Sequence, residues 1–334
     1  MTLVAVWPLQ QGTTTELVVA SDSRLTGGFT FESGPKLFPL CRGDAVLAFA
    51  GDTAFAYPLI VQLMRYVEDF DRAHSRAQDI CDLAGHCERI CTGLIREVIR
   101  ASHPIPDGID LTSDFTVVLA GYSWRYRRYK VWTSLVRENG DFVFSRPLRR
   151  LHGAVFVGSG EREALQRLGR LRPSKRRETR KRQVLTWEPF DILRDIIRES
   201  ADHSIGGAPQ LVKIYQHMNH MAYAVPWPTG GSSRLTLLGR PLLNYERTQR
   251  LSFDPDSHEI FRLWDYLAPP GRKLRAGAEL LPNSGLHQPR PSRSPPKPPR
   301  SPRSPPRAPS RSLRSERRII ADGPASSSST RTVM

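Results

Sequence analysis

The sequence predicts an α+β fold: a four-layer α-β-β-α sandwich followed by a disordered C-terminal tail. The elements come in groups, with strands, two helices, strands, two helices and strands again. Paired helices on sheets built largely from hairpins favour stacked layers over a parallel, doubly wound sheet. The strand segments are also more apolar than strands with one face in water, which indicates sheets covered on both faces. After residue 270 the composition becomes too poor in apolar residues to fold, and this change marks the tail.

Two pairs of strands open the chain. Residues 2–7 and 14–21 are β-rich runs on either side of residues 8–12, a segment typical of a hairpin connection. Residues 36–40 and 45–50 form a second pair, joined by a short Arg-Gly-Asp turn.

Two helices are predicted next. In residues 53–70, Leu59, Leu63 and Val67 recur on one face. The following segment repeats apolar residues at steps of three and four, which predicts an amphipathic helix from about Ile80 to Val98. Residues 103–108, rich in proline, end this second helix.

The remaining elements repeat the pattern of strands, paired helices and strands. Strands are predicted at residues 115–120, 129–136, 142–144, 154–157, 211–215 and 221–225, with helices at 161–171 and from Pro189 onward. Residues 257–267 are consistent with one more short helix.

The chain divides into three parts by composition. Residues 1–250 form the folded domain, and residues 251–270 form a short extension that contains the predicted last helix. Residues 271–334 are a basic tail rich in Pro, Arg and Ser, with 14 basic and 3 acidic residues and 12 of the 28 prolines. The tail thus supplies most of the net charge of +16, and the folded part is nearly balanced.

Several classes of protein are excluded by the same composition. The longest apolar runs, such as residues 45–50, are far shorter than the roughly 20 residues of a membrane helix, and the first residues lack the features of a signal peptide. With only four cysteines, a soluble, cytoplasmic chain without a membrane partner is expected. Cys81, Cys87 and Cys91 lack a paired zinc spacing, so neither a metal nor a cofactor is predicted.

Five sequence blocks, in order, carry a resemblance to a known family. They are MTLVAV at residues 1–6, VVASDSR at 18–24, PKLF at 35–38, AFAGD at 48–52 and VGSG at 157–160, followed by Asp202 four residues before a Gly-Gly pair. Together they resemble proteasome β-type subunits and the peptidase subunit of the bacterial two-component ATP-dependent protease, over roughly residues 2–225. The resemblance implies a proteasome-like N-terminal-nucleophile (Ntn) hydrolase fold and a threonine protease that cleaves peptide or other amide bonds.

The resemblance also implies a role for each matching residue. Thr2 would be the nucleophile once Met1 is removed, with its own α-amine as the base; such an amine titrates near pH 8, close to the working pH. Lys36 would lower the pKa of the Thr2 hydroxyl, and Asp22 would hold that lysine. The Gly51 amide would bind the oxyanion, while Ser159 and Asp202 would orient the amine and a bridging water.

Two features depart from the family pattern and keep an alternative open. Twenty residues separate Thr2 from Asp22, more than the family typically has, and Ile205 stands where a serine is usual, with Ser204 one place early. The alternative is a catalytically inactive scaffold or binding protein of the same fold. The Thr-Thr-Thr run at residues 13–15 imitates a mature β-subunit N-terminus, but it lies too close to Asp22 for the strand and turn required.

The partners expected follow from the resemblance and from the charge. The family implies a polypeptide or amide substrate, a homo-oligomeric ring and a separate ATPase. The chain itself has no phosphate-binding glycine loop that ends in Lys-Ser or Lys-Thr. Nucleic acid is a further candidate partner for the basic tail, for the basic run at residues 162–182 and for residues 124–130, where aromatic and basic residues alternate.

Overall fold

A computed structural model describes most of the chain up to residue 262. The described residues are 2–12, 14–27, 29–101, 115–171, 185–199, 201–229, 232–243, 245–246 and 250–262. The predicted tail (271–334) lies outside them, as do Thr13, residues 103–108, much of the basic run 162–182 and the predicted helix beyond residue 262.

The described residues form a mixed α and β structure with mostly antiparallel sheets, as the sequence predicts. The helices are α1 (Thr53–Asp69), α2 (Asp71–His74), α3 (Ile80–Ala101), α4 (Glu161–Leu171) and α5 (Glu188–Glu199). The strands are β1 (Leu3–Gln11), β2 (Thr14–Ser21), β3 (Leu25–Gly27), β4 (Phe29–Phe31), β5 (Leu37–Pro39), β6 (Ala45–Gly51), β7 (Phe115–Ser123), β8 (Arg128–Val136), β9 (Phe142–Ser145), β10 (Val155–Gly158), β11 (Gln210–Tyr215), β12 (Asn219–Thr229), β13 (Ser232–Leu237), β14 (Arg240–Pro241), β15 (Leu251–Phe253) and β16 (Ile260–Arg262).

The strands form two large sheets and one small hairpin. In the larger sheet the order is β10-β1-β2-β11-β12-β13-β14, and β15 joins β12 in parallel and pairs with β16. The second large sheet has the order β5-β6-β7-β8-β9, and β3 pairs with β4. Among the described strands, each strand-to-strand pairing other than β12 with β15 is antiparallel.

Both large sheets bury residues on both faces. Along β1, Leu3 and Trp7 belong to a core cluster with residues of α4 and α5, whereas Val4 and Val6 belong to a second cluster with residues of β6 and β7. A third cluster joins the opposite face of β6 and β7 to α1 and α3. Successive side chains of a strand point to opposite faces, so a strand buried on both sides reads as a continuous apolar run.

The first hairpin is longer than predicted, because β1 continues through Pro8 to Gln11 instead of turning there. The backbone groups of Leu3 face β2, since the Leu3 carbonyl accepts from the Asp22 amide, and the Thr2 carbonyl faces β10. Because the facing side alternates along a strand, Pro8 lies with its backbone nitrogen, which carries no hydrogen, on the β10 side. The β10 pairing has already ended at Val6. A proline is tolerated at such an unpaired strand position.

The prediction of a helix from residue 257 is wrong for the part that the structure describes. Residues 260–262 form β16, which pairs with β15, so this segment belongs to the larger sheet rather than to a helical extension. The turn between them is held by Asp254, whose carboxylate accepts from the amides of Asp256 and Ser257, both at 2.8 Å. These side-chain bonds favour a turn over a helix at this point.

None of the described helices is both long enough and apolar enough to cross a membrane.

Candidate active site

Thr2 lies immediately before β1, between the ends of two other strands. Its residue is 1% exposed, and its carbonyl oxygen accepts a hydrogen bond from the Ser159 amide at 3.0 Å. A Cβ atom at Gly158 would lie 1.9 Å from that oxygen, and the Gly158 backbone has φ +111°. Only glycine fits this close approach, so the VGSG block has a local structural reason.

Asp22 and Lys36 form a fully buried ion pair beside Thr2. The Lys36 Nζ atom donates to both Asp22 carboxylate oxygens at 2.9 Å, and both side chains are 0% exposed. The Leu3 amide, next in sequence to Thr2, donates to Asp22 Oδ1 at 3.0 Å. The ion pair therefore lies against the base of the β1–β2 hairpin.

The environment of this pair is built from backbone donors. Asp22 Oδ2 also accepts from the amides of Gly206 at 3.1 Å and Arg24 at 3.2 Å. Burial lowers the pKa of the Lys36 ammonium, and the charge and hydrogen bonds of Asp22 oppose that change. A lysine with a lowered pKa and a single carboxylate partner can polarise a neighbouring hydroxyl group.

A second polar group joins Ser159, Asp202 and Ser204. The Ser159 and Ser204 hydroxyl oxygens lie 3.4 Å apart, and the Ser204 hydroxyl donates to Asp202 Oδ1. The Ser204 amide donates to the same oxygen at 2.8 Å. Burial alone would raise the pKa of the Asp202 carboxyl, but hydrogen bonds from Ser204 and Ser159 outweigh it and hold that pKa below its usual value.

Gly51 is at the end of β6, beside the strand that carries Gly158. Its backbone has φ +106°, and it is paired with Phe115 of β7. The preceding residue, Ala50, has its Cβ 3.2 Å from the position that a Cβ at Gly158 would take. The next residue, Asp52, caps α1 by accepting from the Ala54 amide at 2.6 Å, so Gly51 is held at a strand-to-helix turn.

The structure therefore links five of the six predicted site residues into one connected group, whereas Gly51 is related to it only through Ala50, its neighbour in sequence, which lies beside Gly158. Thr2 contacts Ser159 through the backbone, and Ser159 leads to Asp202 through Ser204. The Asp22–Lys36 pair reaches Thr2 through Leu3.

The two departures from the family pattern leave this group intact. Ile205 is 1% exposed and belongs to the core beside α5, with its Cδ1 3.0 Å from the Cβ position of Gly160. The hydroxyl that contacts Ser159 and Asp202 comes instead from Ser204, one position earlier. The length of the first hairpin does not separate Asp22 from the start of β1. Its antiparallel register pairs Val4 with Ser21 and so places Asp22 beside Leu3.

Thr14 and Thr15, the described part of the Thr-Thr-Thr run, lie at the other end of this hairpin. Thr14 is paired with Gln11, and the Thr15 carbonyl accepts from the Tyr129 hydroxyl at 2.8 Å. Neither residue is near the base of the hairpin, where Thr2 and Asp22 lie.

Two residues that the sequence did not single out hold the site together. The Gln210 side-chain oxygen accepts from the amides of Lys36 and Leu37, at 3.1 and 3.2 Å. Its nitrogen donates to the carbonyls of Asp22 at 3.1 Å and Gly34 at 2.8 Å. Gln210 thus fixes the lysine-bearing segment against the aspartate-bearing segment.

Arg24 connects the same region to the loop that carries Asp202 and Ser204. Its guanidinium donates to the carbonyl oxygens of His203 at 3.1 Å and Ile205 at 3.3 Å, and to the Glu32 carboxylate at 2.9 Å. Its backbone amide also donates to the Gly206 carbonyl at 2.9 Å. The only sequence signal for Arg24 is its place two residues after Asp22.

In the described part of the chain, the cysteines and histidines do not form a second candidate functional site. All four cysteines are free, and burial raises the pKa of the Cys87 thiol to about 12. Within the described ranges, no group of three or more His, Cys, Asp or Glu side chains is arranged to hold a metal ion. His220 Nε2 donates a hydrogen bond to the Leu40 carbonyl oxygen at 2.8 Å.

Comparison with models of known protein families gave no match, and comparison with curated proteins gave none either.

Proposed function

We propose that this chain is a threonine-type N-terminal-nucleophile hydrolase that cleaves peptide or other amide bonds, with Thr2 as its nucleophile. The observation that carries the proposal is the buried Asp22–Lys36 pair at the base of the β1–β2 hairpin, in contact with the residue that follows Thr2. Taking two ionised groups out of water costs free energy that their mutual attraction does not always repay, so a pair at this position favours a functional role. In the proposed mechanism, the charge of Lys36 acts on the Thr2 hydroxyl group, and the pair is linked to Thr2 through Asp22 and the Leu3 amide.

The proposal includes a four-layer α-β-β-α arrangement of the fold. Its support is the set of three core clusters, which contain α4 and α5 with the larger sheet, the two sheets with each other, and the second sheet with α1 and α3.

The proposed reaction begins with cleavage of the Met1–Thr2 peptide bond, which frees the Thr2 amine. That amine accepts the hydroxyl proton as the Thr2 oxygen attacks the substrate carbonyl, while the Lys36 charge stabilises the developing alkoxide. The Gly51 amide donates to the carbonyl oxygen as it becomes negative. The proton then passes from the Thr2 amine to the leaving nitrogen, the carbon–nitrogen bond breaks, and an ester on Thr2 remains.

Water completes the proposed cycle. The Thr2 amine accepts a proton from a water molecule that attacks the ester, the acid product leaves and the hydroxyl group is restored. Ser159, Ser204 and Asp202 orient the amine for both steps. The low pKa of Asp202 keeps it ionised, so it attracts the protonated form of the amine.

The substrate, a ring of identical subunits, a separate ATPase and a cytoplasmic location remain predictions from the family resemblance. Sedimentation of the purified chain tests the ring directly, since a monomer of 37.7 kDa and a closed ring sediment very differently.

One observation favours a second candidate function, that of an inactive scaffold or binding protein. Thr2 is 1% exposed, and its nitrogen belongs to a peptide bond for as long as Met1 is retained. If Met1 is retained, the pair of Asp22 and Lys36 acts only as a structural element.

The deciding experiment is the intact mass of the purified full chain before and after treatment with a threonine-directed epoxyketone. The hydrolase predicts loss of Met1 and one adduct, mapped to Thr2 and absent from a Thr2→Ala variant. Retention of Met1 with no adduct would rule out the proposed chemistry and leave the scaffold function. Loss of Met1 with no adduct calls for a Lys36→Arg control, which keeps the charge but not the geometry.

A further inference from the structure

The β7–β8 connection is a rigid, exposed turn. We call residues Trp124, Arg125, Tyr126, Arg127, Arg128 and Lys130 the hairpin tip. Ser123, at the end of β7, accepts from the Tyr126 amide at 3.1 Å and donates to the buried Asp79 carboxylate at 3.0 Å. The Arg125 amide also donates to Asp79, at 3.2 Å. The turn is therefore fastened to the start of α3 although its side chains face solvent.

The hairpin tip carries three positive charges that are not neutralised. Arg125 is paired with the Asp82 carboxylate, at 3.0 Å for one of its two contacts. Arg127, Arg128 and Lys130 have no acidic side chain within ion-pair distance among the residues that the structure describes. Three uncompensated cations on a fixed turn form a local site for polyanions.

Two exposed aromatic rings lie among these cations. Tyr126 is 51% exposed and Trp124 is 38% exposed. The Lys130 Nζ atom lies 4.6 Å from the centre of the Tyr126 ring, and the Arg128 Cζ atom lies 5.4 Å from it. Arg128 and Lys130 are alternate residues of β8 and point to the same face of the sheet. Both charges therefore lie close to the Tyr126 ring, about half of whose residue surface is exposed to a stacking partner.

The Trp124 ring is also held in place. Its indole N–H donates to the Arg76 carbonyl at 3.2 Å, and the Arg125 guanidinium lies 5.8 Å from its ring centre. A fixed aromatic ring loses little side-chain freedom when a second ring stacks on it.

We propose that the hairpin tip binds single-stranded nucleic acid, with Arg127, Arg128 and Lys130 on phosphates and Tyr126 stacked against a base. Cations that track a backbone beside exposed aromatic rings are the two features that non-sequence-specific single-strand binding uses. An acidic polypeptide would satisfy the charges but would leave the rings without a partner, so nucleic acid fits the whole surface better.

The hairpin tip lies at the opposite end of β7 from the candidate active site. Gly51 is paired with Phe115 at one end, and Ala45 is paired with Gly121 near the other. Six residues of antiparallel strand span about 20 Å. A strand bound at the hairpin tip would therefore lie away from the candidate active site, and the inference does not depend on the proposed hydrolase activity.

The test is a salt titration of binding by the full chain. Fluorescence anisotropy is measured with labelled 12-nucleotide oligothymidylate and with the oligouridylate of the same length, between 50 and 200 mM NaCl. The variant Arg127→Ala/Arg128→Ala/Lys130→Ala removes the three free cations of the hairpin tip. The matched control, Arg100→Ala/Arg137→Ala/Arg146→Ala, removes three exposed arginines without a described ion pair, and Arg137 directly follows the other end of β8.

The expected result separates the hairpin tip from the basic tail, which is present in every variant. Each phosphate contact on a single strand contributes about 0.7 to the slope of log K against log salt, so the hairpin-tip variant should lower the slope by about 2. The control variant should lower it by less than half as much. Tyr126→Ala should weaken binding about fivefold or more through lost stacking, and Tyr126→Phe should leave it within about twofold.

Two results would overturn the proposal. Equal slopes for the hairpin-tip and control variants would assign all binding to the tail or to general charge. If poly-glutamate of the same charge displaces the oligonucleotide at equal concentration and Tyr126→Ala has no effect, the surface binds acidic protein instead. Circular dichroism of each variant guards against misfolding, and Tyr126→Phe retains the ring if the alanine variant does not fold.

Discussion

The buried pair of Asp22 and Lys36 makes a prediction that stability measurements can check without any knowledge of the substrate. The two single variants Asp22→Asn and Lys36→Met and the double variant form a cycle. Both side chains are 0% exposed, and the two carboxylate oxygens accept from Lys36 Nζ at 2.9 Å. Removing either partner therefore leaves the other buried without its counter-charge.

Each single variant is expected to lower the free energy of unfolding by about 3–5 kcal/mol, the usual cost of leaving one buried charge without its partner. Lys36→Met should lie at the lower end, because Asp22 keeps the backbone donors of Leu3, Arg24 and Gly206. Asp22→Asn should lie at the upper end, since it leaves an ammonium in the interior. A typical domain has about 5–15 kcal/mol of stability, so both variants should still fold.

The double variant should cost less than the sum of the two single variants. Its interaction free energy is expected to be about 1–3 kcal/mol, as for residues in direct contact. Urea unfolding followed by tryptophan fluorescence and by far-UV circular dichroism gives the three values. Strict additivity, or a cost below about 1 kcal/mol for Lys36→Met, would refute a buried ion pair and with it the proposed activation of Thr2.

Three further predictions concern the rest of the site. Gly158→Ala should lower the free energy of unfolding by about 3 kcal/mol or more, because the added Cβ would lie 1.9 Å from the Thr2 carbonyl oxygen and the backbone has a positive φ. The control Gly85→Ala in α3, where an added Cβ has nothing within 4 Å, should be neutral or stabilise the fold by about 1 kcal/mol in the same urea assay. Ser204→Ala should lower the rate of epoxyketone modification of Thr2 by about tenfold. Ile205→Ser should destabilise the fold by about 3 kcal/mol and add no reactivity, since Ile205 is in the core. Equal effects of the two variants on the modification rate would contradict the assignment of the hydroxyl group to Ser204. Ser204→Ala should also cost about 1 kcal/mol above pH 5, a value already reduced for the partial exposure of Asp202. Hydrogen bonds lower the pKa of Asp202 in the folded state, so the stability difference between the variant and the original chain should be fully present above pH 3.8, the unfolded-state pKa of this carboxyl group. The difference should disappear as the pH falls below that value. A stability difference that grows toward low pH in urea unfolding would contradict this prediction.

Local patterns predicted most of the secondary structure. The helix at 161–171 agrees with α4 at both ends, and the helix at 53–70 differs from α1 by one residue. These elements have long apolar repeats that packing reinforces. The segment 257–262 has too short a pattern, and there the Asp254 turn and the edge of the larger sheet decided the outcome. The segment pairs with β15, at Ser252 and Phe261, and β15 in turn lies on β12, at Ala224. A short pattern encodes neither of these pairings.

The candidate site divides in the same way. Asp22 and Lys36 were recognisable as a pair only through the order of the sequence blocks, and the structure places them in contact. Gln210 and Arg24 gave no comparable signal, because each acts by binding backbone groups of distant segments. Gln210 reaches Lys36 and Asp22 across separations of 174 and 188 residues. A contact with a backbone group does not depend on the identity of the residue contacted, so it leaves no pattern in the sequence.

The construction of the site explains why Ser204, and not residue 205, faces Ser159 and Asp202. The loop from Asp202 to Gly206 is fixed at both ends rather than by its sequence register. The Gly206 amide binds Asp22 at 3.1 Å, and the Arg24 guanidinium binds the carbonyls of His203 and Ile205. The buried Ile205 side chain then forces the preceding residue outward.

That constraint turns Ser204 toward Ser159 and Asp202. Which residues contact Ser159 therefore depends on the direction in which the loop points their side chains, and not on their spacing from the glycine pair. Arg24→Lys should loosen this loop because a lysine cannot make the two carbonyl contacts and the Glu32 contact at once. The Ser159–Ser204–Asp202 group would then lose its geometry while the Asp22–Lys36 pair remained. Under the proposed mechanism, this variant would separate the orientation of the amine from the activation of the hydroxyl group.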